Sequence, residues 1–514
     1  MTPLATRPTH VVKAAAREVP WPADVEAVFR RLARRSHCTW LDSAGGPPAL
    51  ARWSVLAADP SLILQHEDDA TCLRAPDGRV RLKNIGHPME ALREALRGVV
   101  IEGDEAAAAL PFGPGFYGYL SYDLAPYVEP TAGLSRRRDI PMPDLWFGLY
   151  DAVLVLDSRD RRAFVVGAPG AAWNALEEAL APAEPCPRNG GAGTPPVEYS
   201  RGGSPEPPRQ SAPRDPKRGG SGDPPRKDPK PGATFNMTRP EFLRAVERAR
   251  EYIAAGDIFQ VNLSRRLTVP MPGEPADLYL RLRRANPAPY AAYVDLGGGR
   301  AVLSSSPELF LDLRDGAVAT RPIKGTRPHR PGDGPFNARM QAELLASKKD
   351  RAELVMIIDL ERNDLGRVCS YGSVRVAEAR AVEAYASVYH TVATVTGRLH
   401  EGRDVVDLLR ATFPGGSITG APKIRSMQII AELEPTRRSV YTGAVGYLGP
   451  APAGGNAGRC VLNIAIRTLL AAGGNVHLQV GGGIVADSDP EAEFEETEDK
   501  ARAMLRALSP KGAD

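Results

Sequence analysis

The chain has 514 residues, of which 43% are hydrophobic and 25% charged, and its formal net charge is +3. These fractions are typical of a soluble globular protein, and the length exceeds the usual size of one compact domain. The sequence has no run of about 18 apolar residues and no continuous apolar segment at its start, so we expect neither a transmembrane helix nor a signal peptide.

The positions of the charged residues and the cysteines limit the expected ligands and the cellular compartment. Residues 201–235 contain eight basic and four acidic side chains, so the rest of the chain is close to neutral. A near-neutral folded part argues against nucleic acid as the main ligand. The five cysteines have no CxxC spacing, which argues against a disulfide framework or a zinc site and favours a reducing cytoplasm.

Three regions follow one another along the chain. Residues 15–182 and 236–510 mix helical and strand-like segments, whereas residues 183–235 are rich in Pro, Gly, Ser and charge. A segment of that composition cannot bury enough surface to offset its ordering entropy. We therefore predict a disordered linker between two folded regions, with a weak polyanion-binding tail as the alternative.

Strand-like segments occur in both folded regions, and helical signals accompany them. Just after the linker, Thr238 and Glu241 form a capping box, and Pro240 fits the first turn of a helix. Because helices do not alternate regularly with strands, we predict an α+β fold with antiparallel sheets. The clearest strand-like runs are AVLVLD (152–157), AYVDLG (292–297), AVLSSS (301–306) and VHLQVGGGIV (476–485).

A loop written RPIKGTRPH, residues 321–329, contains Lys324 just before a Gly-Thr turn. A lysine in such a stiff segment is either a solvated surface charge or a group held against a substrate, and the loop alone leaves both open. Glu308 follows a proline at the end of a predicted strand and could act as a general acid or base. His390, within the strand-like run SVYHTVATV, is by default a satisfied core histidine.

The segment NARMQAELLASKKDRAELVMIIDLERND, residues 337–364, predicts a helix with a buried apolar stripe. Glu353 borders that stripe, where a bare carboxylate is costly unless a cation or hydrogen-bond donors meet it. The simpler alternative is a helix salt bridge with Lys349. The stripe consists of Leu345, Ala352, Met356, Ile357 and Leu360.

A second predicted helix begins in DSDPEAEFEETEDKARAMLRAL and carries Glu493 and Glu496 one turn apart. Acids in a first turn often only complement the helix dipole. The alternative is that they meet Glu353 around a hard divalent cation. Oxygen ligands without nearby His or Cys favour magnesium over zinc.

The segment FPGGSITGAPKIRSMQII, residues 413–430, places glycines before Pro422 at a predicted helix start. Backbone N–H groups exposed there bind anions. The spacing of these glycines is not that of a Walker A loop. The anion bound here could therefore be a carboxylate as well as a phosphate. Arg467, Lys500 and the triple glycine at 481–483 are further potential anion anchors.

Several motifs occur in a fixed order: GDIFQVNLSRR, SSSPELF, RPIKGTRP, DRAELVMIIDLERNDLGRV, FPGGSITGAPK, AIRTL and GGGIVADSDPEAEFEET. In that order they resemble the chorismate-utilising enzymes, which include anthranilate synthase component I, aminodeoxychorismate synthase component I and the isochorismate and salicylate synthases. The likeness covers nearly all of 236–510 and, more weakly, the N-terminal region. It implies an anthranilate synthase component I-like α+β fold, with two large antiparallel sheets packed as a sandwich and surrounded by helices.

The resemblance also implies a site that binds chorismate and Mg²⁺. Glu308 matches an acid that assists loss of the chorismate C4 hydroxyl, and His390 matches a histidine near the same group. The positions that match metal ligands are Glu353, Glu493 and Glu496. The positions that match substrate contacts are Gln260, Gly325, Thr326, Thr419, Gly420, Tyr447, Arg467, Gly481, Gly482, Gly483 and Lys500.

Two positions distinguish subclasses of the family. Isochorismate and salicylate synthases have a water-activating lysine where this chain has Gln260, and anthranilate synthases have alanine where it has Lys324. The resemblance therefore implies an aminodeoxychorismate synthase component I. In that reaction, Lys324 attacks C2 of chorismate with loss of the C4 hydroxyl, and ammonia then displaces the lysine at C4. The alternatives are anthranilate synthase component I and an inactive member that acts as a binding or assembly subunit.

The implied enzyme needs partners, because ammonia at neutral pH is mostly ammonium. The chain contains no recognisable glutaminase segment, so we expect a separate glutamine amidotransferase subunit to supply ammonia. A downstream aminodeoxychorismate lyase is expected to complete p-aminobenzoate formation for folate biosynthesis. We expect a cytoplasmic enzyme with neither a nucleic acid nor a membrane as partner.

Overall fold

A computed structural model describes residues 10–84, 87–135, 137–181, 232–451 and 457–509. The predicted linker, residues 183–235, lies outside the described residues as far as residue 231. The helices of the described part are α1 (Val25–Leu32), α2 (Pro88–Arg97), α3 (Glu105–Ala109), α4 (Ala125–Val128), α5 (Ala171–Leu180), α6 (Arg239–Ala254), α7 (Pro275–Ala285), α8 (Gly334–Ala346), α9 (Lys348–Gly366), α10 (Val405–Thr412), α11 (Lys423–Leu433) and α12 (Pro490–Ala507).

The strands of the described part belong to two sheets, and short 3₁₀ turns cover Tyr122–Leu124 and Gly416–Ile418. The strands are β1 (His10–Val19), β2 (Thr39–Asp42), β3 (Trp53–Ala57), β4 (Leu62–Glu67), β5 (Ala70–Arg74), β6 (Val80–Asn84), β7 (Val99–Gly103), β8 (Gly115–Leu120), β9 (Leu145–Tyr150), β10 (Ala152–Asp157), β11 (Arg162–Gly167), β12 (Thr234–Phe235) and β13 (Gln260–Pro270). They continue with β14 (Tyr290–Gly297), β15 (Arg300–Ser306), β16 (Leu309–Arg314), β17 (Ala317–Arg321), β18 (Ile323–Pro328), β19 (Arg375–Ala384), β20 (Val388–Arg398), β21 (Gly420–Ala421), β22 (Ala444–Gly449), β23 (Arg459–Ile464), β24 (Thr468–Ala472) and β25 (Asn475–Ile484).

Both sheets are large and mostly antiparallel. The first has 13 strands in the order β12-β13-β25-β24-β15-β14-β2-β3-β10-β11-β1-β7, with β21 beside β13. The second has 12 strands in the order β18-β20-β17-β16-β23-β22-β8-β9-β4-β5-β6, with β19 beside β20. Of the described strand pairs, β1 and β7 alone run parallel. Strands from before and after the predicted linker share both sheets, since β2 pairs with β14 and β8 pairs with β22.

Apolar side chains fill the space between the sheets and cover both outer faces. Between the sheets, Tyr119 and Trp146 of the second sheet pack with Val294 and Leu470 of the first. Helices α1, α5, α7 and α12 cover the outer face of the first sheet, and α2, α9 and α10 cover that of the second. Burial of these apolar faces is the main stabilising contribution to such layers. The predicted α+β sandwich surrounded by helices is therefore confirmed.

Local signals in the sequence located several elements correctly. The predicted strand runs lie in β10, β14, β15 and β25. The capping box is formed, because the Thr238 amide donates to the Glu241 carboxylate at 2.7 Å and α6 begins at the next residue. The predicted helix 337–364 is instead two helices, α8 and α9. Ser347 interrupts it, since its hydroxyl accepts a hydrogen bond from the Asp350 amide at 3.2 Å and caps α9.

The predicted apolar stripe on this helix is buried only in part, since Ile357 is fully buried whereas Met356 and Leu360 are partly buried. Leu345 lies on α8 and is 50% exposed, while Ala352 lines an open cleft on α9. The buried face of α9 instead includes Glu361 and Asp364. The Thr320 hydroxyl donates to Glu361 at 2.9 Å, and the ammonium of Lys423 donates to Asp364. These hydrogen bonds satisfy the two acids that are buried on this face together with Leu354, Ile358 and Leu365.

The described helices and cysteines are of ordinary, unreactive kinds. None of its helices is both long and apolar enough to cross a membrane. Its cysteines are all free, and Cys38, Cys369 and Cys460 are buried. Burial raises the pKa of each of these three thiols, so they are poor nucleophiles at neutral pH.

Candidate active site

Lys324 lies on β18, which pairs with β20 near one edge of the second sheet. Its side chain is 12% exposed, and its Nζ atom is 4.0 Å from Oε2 of Glu353. Its positive charge lowers the pKa of Glu308 and of Glu496 against the opposing effect of their burial. The lysine of the RPIKGTRPH loop is therefore held among carboxylates and does not project into solvent.

Gly325 follows this lysine with a φ of +78°, a conformation that favours glycine. A Cβ atom here would lie 2.9 Å from Cδ1 of Leu344 and 3.0 Å from Cγ of Asp350. Both contacts are closer than van der Waals distance, so a side chain would push α8 and α9 away from the strand. The glycine thus allows these helices to close over β18 beside Lys324.

His390 is buried behind the same strand. Its Nδ1 atom is 3.2 Å from the Gly325 carbonyl oxygen and 3.0 Å from Oγ1 of Thr326. Because a carbonyl only accepts, Nδ1 carries the proton, and burial lowers the pKa of the ring to about 3. Its Nε2 atom is buried with no hydrogen-bond partner among the described residues. A core histidine is normally satisfied, so this free acceptor indicates a ligand position.

Glu308 lies between β15 and β16 with 4% of its surface exposed. Burial raises its pKa to about 7, against the opposing effects of the Ser417 hydroxyl, Lys324 and the Ile323 amide. A carboxyl group with this pKa is partly protonated at neutral pH. That property suits a general acid.

Four carboxylates gather from two helices. Glu353 and Asp350 lie one turn apart on α9, while Glu493 and Glu496 lie one turn apart on α12. Oε1 of Glu493 accepts from the Ser488 hydroxyl at 2.7 Å, whereas Oε2 is buried with no partner in the described part. Oδ2 of Asp350 makes no hydrogen bond to a described residue, but it forms an ion pair with Nη2 of Arg327 at 3.4 Å. The sequence analysis missed Asp350, although its one-turn spacing from Glu353 was a usable signal.

The space between these carboxylates bears on whether they can hold Mg²⁺. The triple glycine leaves room, since a Cβ atom on Gly482 would lie 3.1 Å from Oε2 of Glu493 and 3.9 Å from Oε1 of Glu496. Lys500 forms an ion pair with Glu496 at 2.7 Å, and no three carboxylates of the described residues converge as a finished metal cage. The unpartnered Oε2 atom of Glu493 and the open space beside it nevertheless fit a hard cation. Glu353, Glu493 and Glu496 are the residues that would hold it.

Lys500, which pairs with Glu496, and Arg467, whose charge helps to lower the pKa of His390, are candidate anchors for an anionic ligand. Arg467 makes no ion pair with a described residue, and its Nη1 atom donates to Oδ1 of Asn286 at 3.3 Å. Burial lowers the pKa of its guanidinium, so an anionic partner would relieve a cost that the protein leaves uncompensated. Lys500 donates to the Gly481 carbonyl at 2.8 Å, which holds it against the triple glycine.

Gln260 and the glycine-rich loop line another side of the candidate active site. The amide of Gln260 is buried, and its Oε1 atom has no partner in the described part of the chain. Its Nε2 atom occupies the space that a Cβ atom of Gly483 would need, at 2.0 Å. Gly420 pairs with β13 at Val261. Thr419 turns its hydroxyl back to the Gly415 carbonyl at 3.0 Å, so this side chain stabilises its own loop.

Tyr447 is the predicted site residue that the structure places elsewhere. Its ring packs against Tyr117 and Phe112 between the sheets, with centroids 4.9 and 5.6 Å away. Its hydroxyl donates to the Pro114 carbonyl at 3.4 Å. These contacts join it to the N-terminal strands and not to the other predicted site residues.

Comparisons with known proteins agree on one family. The sequence profile of the family described as chorismate binding enzyme matches residues 37–506. The aminodeoxychorismate synthase component 1 of Bacillus subtilis is 37% identical over 500 residues, which cover 96% of this chain and 97% of that protein. The anthranilate synthase component 1 of Streptomyces coelicolor is 43% identical over 423 residues, which cover 82% of this chain and 78% of that protein. The crystal structure of anthranilate synthase component I from Streptococcus pneumoniae is similar, with a TM-score of 0.67 and 30% sequence identity. The match covers 88% of this chain and 92% of that one.

Proposed function

The chain belongs to the chorismate-binding enzymes, and from that membership we propose that it is component I of an aminodeoxychorismate synthase. It would convert chorismate and ammonia to 4-amino-4-deoxychorismate for the formation of p-aminobenzoate and folate. The observation that carries the proposal is Lys324, which is largely buried beside Glu353 and lowers the pKa of Glu308. The likeness to the Bacillus subtilis relative over nearly both full lengths supports it.

In the proposed reaction, the amine of Lys324 attacks C2 of chorismate. The ring double bonds shift, the bond between C4 and its hydroxyl breaks, and Glu308 gives its proton to that hydroxyl, which leaves as water. Ammonia then forms a bond to C4, and the bond between C2 and Lys324 breaks. The proton that the incoming nitrogen loses returns to Glu308, and the one that Lys324 lost on attack returns to the lysine. Both residues are thereby restored.

Other residues of the site hold the substrate in this proposal. Nε2 of His390 accepts a hydrogen bond from a ring hydroxyl, and Arg467 pairs with a carboxylate of chorismate. Mg²⁺, when bound by Glu353, Glu493 and Glu496, supplies a template and a Lewis acid for the other carboxylate. Gln260 has no titratable group, so it does not activate water, which favours an amine nucleophile.

The nitrogen source follows from acid–base chemistry. Ammonium has no lone pair, so the reaction needs ammonia released close to the site. A glutamine amidotransferase subunit would release it from glutamine. An aminodeoxychorismate lyase would then act on the product.

The second candidate function is anthranilate synthase component I, which the identity to the Streptomyces coelicolor relative favours. The two reactions differ in product, because anthranilate forms with loss of pyruvate. We expect the purified chain, given chorismate, Mg²⁺ and ammonium at raised pH, to form 4-amino-4-deoxychorismate without pyruvate. Anthranilate with equimolar pyruvate would establish the second function. Absence of turnover with any nitrogen source would indicate a binding or assembly subunit.

The pH dependence provides a separate test of Glu308. Its raised pKa, about 7, means that the carboxyl is protonated below pH 7 and ionised above it. The single-turnover rate at constant free ammonia is therefore expected to fall above about pH 7, approaching tenfold per pH unit. In Glu308→Gln this alkaline limb should disappear. If the rate of Glu308→Gln still falls above about pH 7, another titrating group causes that fall.

A further inference from the structure

A buried carboxyl that the proposed reaction does not use lies near Glu308. Glu361, on α9, is 7% exposed, and its carboxylate pairs with no cation among the described residues. It accepts a hydrogen bond from the Thr320 hydroxyl at 2.9 Å. A buried acid with so little compensation is costly in its charged form, and an apolar side chain would fill the same position at a lower cost.

The second sheet brings Glu361 and Glu308 into the same region. Leu309, the residue after Glu308, pairs with Arg321 between β16 and β17. Thr320 precedes Arg321 and holds the carboxylate of Glu361. The two acids therefore adjoin one pair of residues in the sheet, although they are 53 positions apart in the sequence.

A small cavity of about 10 Å³ lies between Glu361 and the loop formed by residues 413–419. Phe310 lines it from the second sheet, and Gly416 lines it from the loop. Gly416 precedes Ser417, whose hydroxyl opposes the rise that burial causes in the pKa of Glu308. The sheet and this loop thus enclose both carboxyls in one region from which most water is excluded.

The groups that face Glu361 come from four separate segments. Burial raises its pKa to about 8 against the opposing effect of the Thr320 hydroxyl, and the charge of Glu308 adds to that rise. Asp364, on the same helix, also raises the pKa, whereas Lys423 of α11 lowers it. Asp364 and Lys423 are paired with each other, so their effects on Glu361 oppose one another. Glu308 is thus the neighbouring acid whose charge has no such partner beside Glu361.

Two carboxyls in one buried region oppose each other's ionisation. When either of them loses its proton, the new charge makes loss of the second proton harder. The pair therefore retains one proton at a pH at which a single carboxyl would have lost it, and that proton is distributed over both groups. Lys324 is the cation that faces Glu308, and it acts on this side of the pair alone.

We propose that Glu361 is a positioning residue that shares a proton with Glu308 and so keeps the acid of the site protonated in mildly alkaline solution. The inference rests on the proposed function, in which Glu308 gives its proton to the leaving hydroxyl. Without Glu361, no second buried charge opposes ionisation of Glu308. A smaller fraction of the molecules then holds this acid in its active form as the pH rises.

The rate at different pH values tests this role. Glu361→Gln keeps the shape of the side chain and an acceptor for the Thr320 hydroxyl, but it cannot ionise. Its single-turnover rate at constant free ammonia, divided by that of the unchanged chain, is expected to fall about three- to tenfold between pH 6 and pH 9. Division at each pH cancels the effects of the other titrating groups. Asp359→Asn, which changes an exposed acid of the same helix, is the matched control and should give a constant ratio.

Infrared titration tests the shared proton without any turnover. The difference between spectra with and without the Glu308→Gln change isolates the Glu308 carboxyl, and the same difference is recorded in the Glu361→Gln background. The pH at which Glu308 is half ionised is expected to be lower by about half a unit in that background. Thr320→Val removes the hydroxyl that favours ionised Glu361, so it should shift this pH in the same direction by less.

The inference is overturned if either measurement gives the same pH dependence for Glu361→Gln and the unchanged chain. It is also overturned if the rate falls by one factor at every pH, because Glu361 would then only maintain the structure. If the unchanged chain has no ammonium-dependent rate, the proposed function fails. The infrared titrations then still decide whether Glu361 and Glu308 share a proton.

Discussion

Replacement of Lys324 with alanine is expected to lower kcat for amination of chorismate by about 10³-fold or more. Without the amine, no group attacks C2, and ammonia must displace the hydroxyl without prior activation of the ring. The small residual turnover is expected to shift toward anthranilate and pyruvate, because ammonia can then add directly at C2. Steady-state rates with ammonium, combined with mass spectrometry of the products, measure both effects.

Two further variants separate nucleophilicity from charge at this position. Lys324→Arg keeps a cation beside Glu353, but a guanidinium is not deprotonated in proteins and cannot attack carbon. It should therefore lose about as much activity as the alanine variant while still binding chorismate. Lys348→Ala removes an exposed lysine of α9 that forms no ion pair with a described residue, and it should retain kcat. An unchanged rate and product in Lys324→Ala would remove this residue from the mechanism.

Much of the local structure could be predicted because it depends on few neighbouring residues. The capping box at Thr238 and Glu241 forms within one turn of helix, so tertiary context hardly affects it. The strand runs were recognisable for the same reason. The loop and turn predicted around Lys324 were wrong, since this segment is strand β18, and Gly325, with a φ of +78°, lies at an irregularity in its pairing with β20.

The remaining features depend on contacts between distant segments. The predicted apolar stripe of α9 shares only Ile357 with the face that is buried, because hydrogen bonds from Thr320 and Lys423 allow Glu361 and Asp364 to be buried on that face. Thr320 and Lys423 are 41 and 59 residues away along the chain from the acids they meet. The pattern of residues within one helix therefore cannot reveal them. Sharing of both sheets by strands on either side of the linker is equally non-local. The free Nε2 atom of His390 also became apparent only once its Nδ1 partners were known.

Changing Glu353 to glutamine is expected to weaken Mg²⁺ binding at least about tenfold and to lower activity about 100-fold at fixed Mg²⁺. The carboxylate is mostly buried, and burial raises its pKa, whereas the charge of Lys324 opposes that rise. Glutamine keeps the shape but supplies a neutral oxygen, which is a poorer ligand for a hard cation. Calorimetric titration of Mg²⁺ without chorismate measures binding, and activity against Mg²⁺ concentration measures the catalytic consequence.

Asp359→Asn is the matched control for this variant, since Asp359 is exposed on the same helix and outside the carboxylate group. It should leave both titrations unchanged. A neutral amide at position 353 removes a partly buried charge, so the melting temperature of Glu353→Gln is expected to stay within a few degrees. A loss of Mg²⁺ affinity then reflects the missing ligand and not unfolding. Normal Mg²⁺ binding with impaired turnover would instead restrict Glu353 to its ion pair with Lys324, which lies at 4.0 Å.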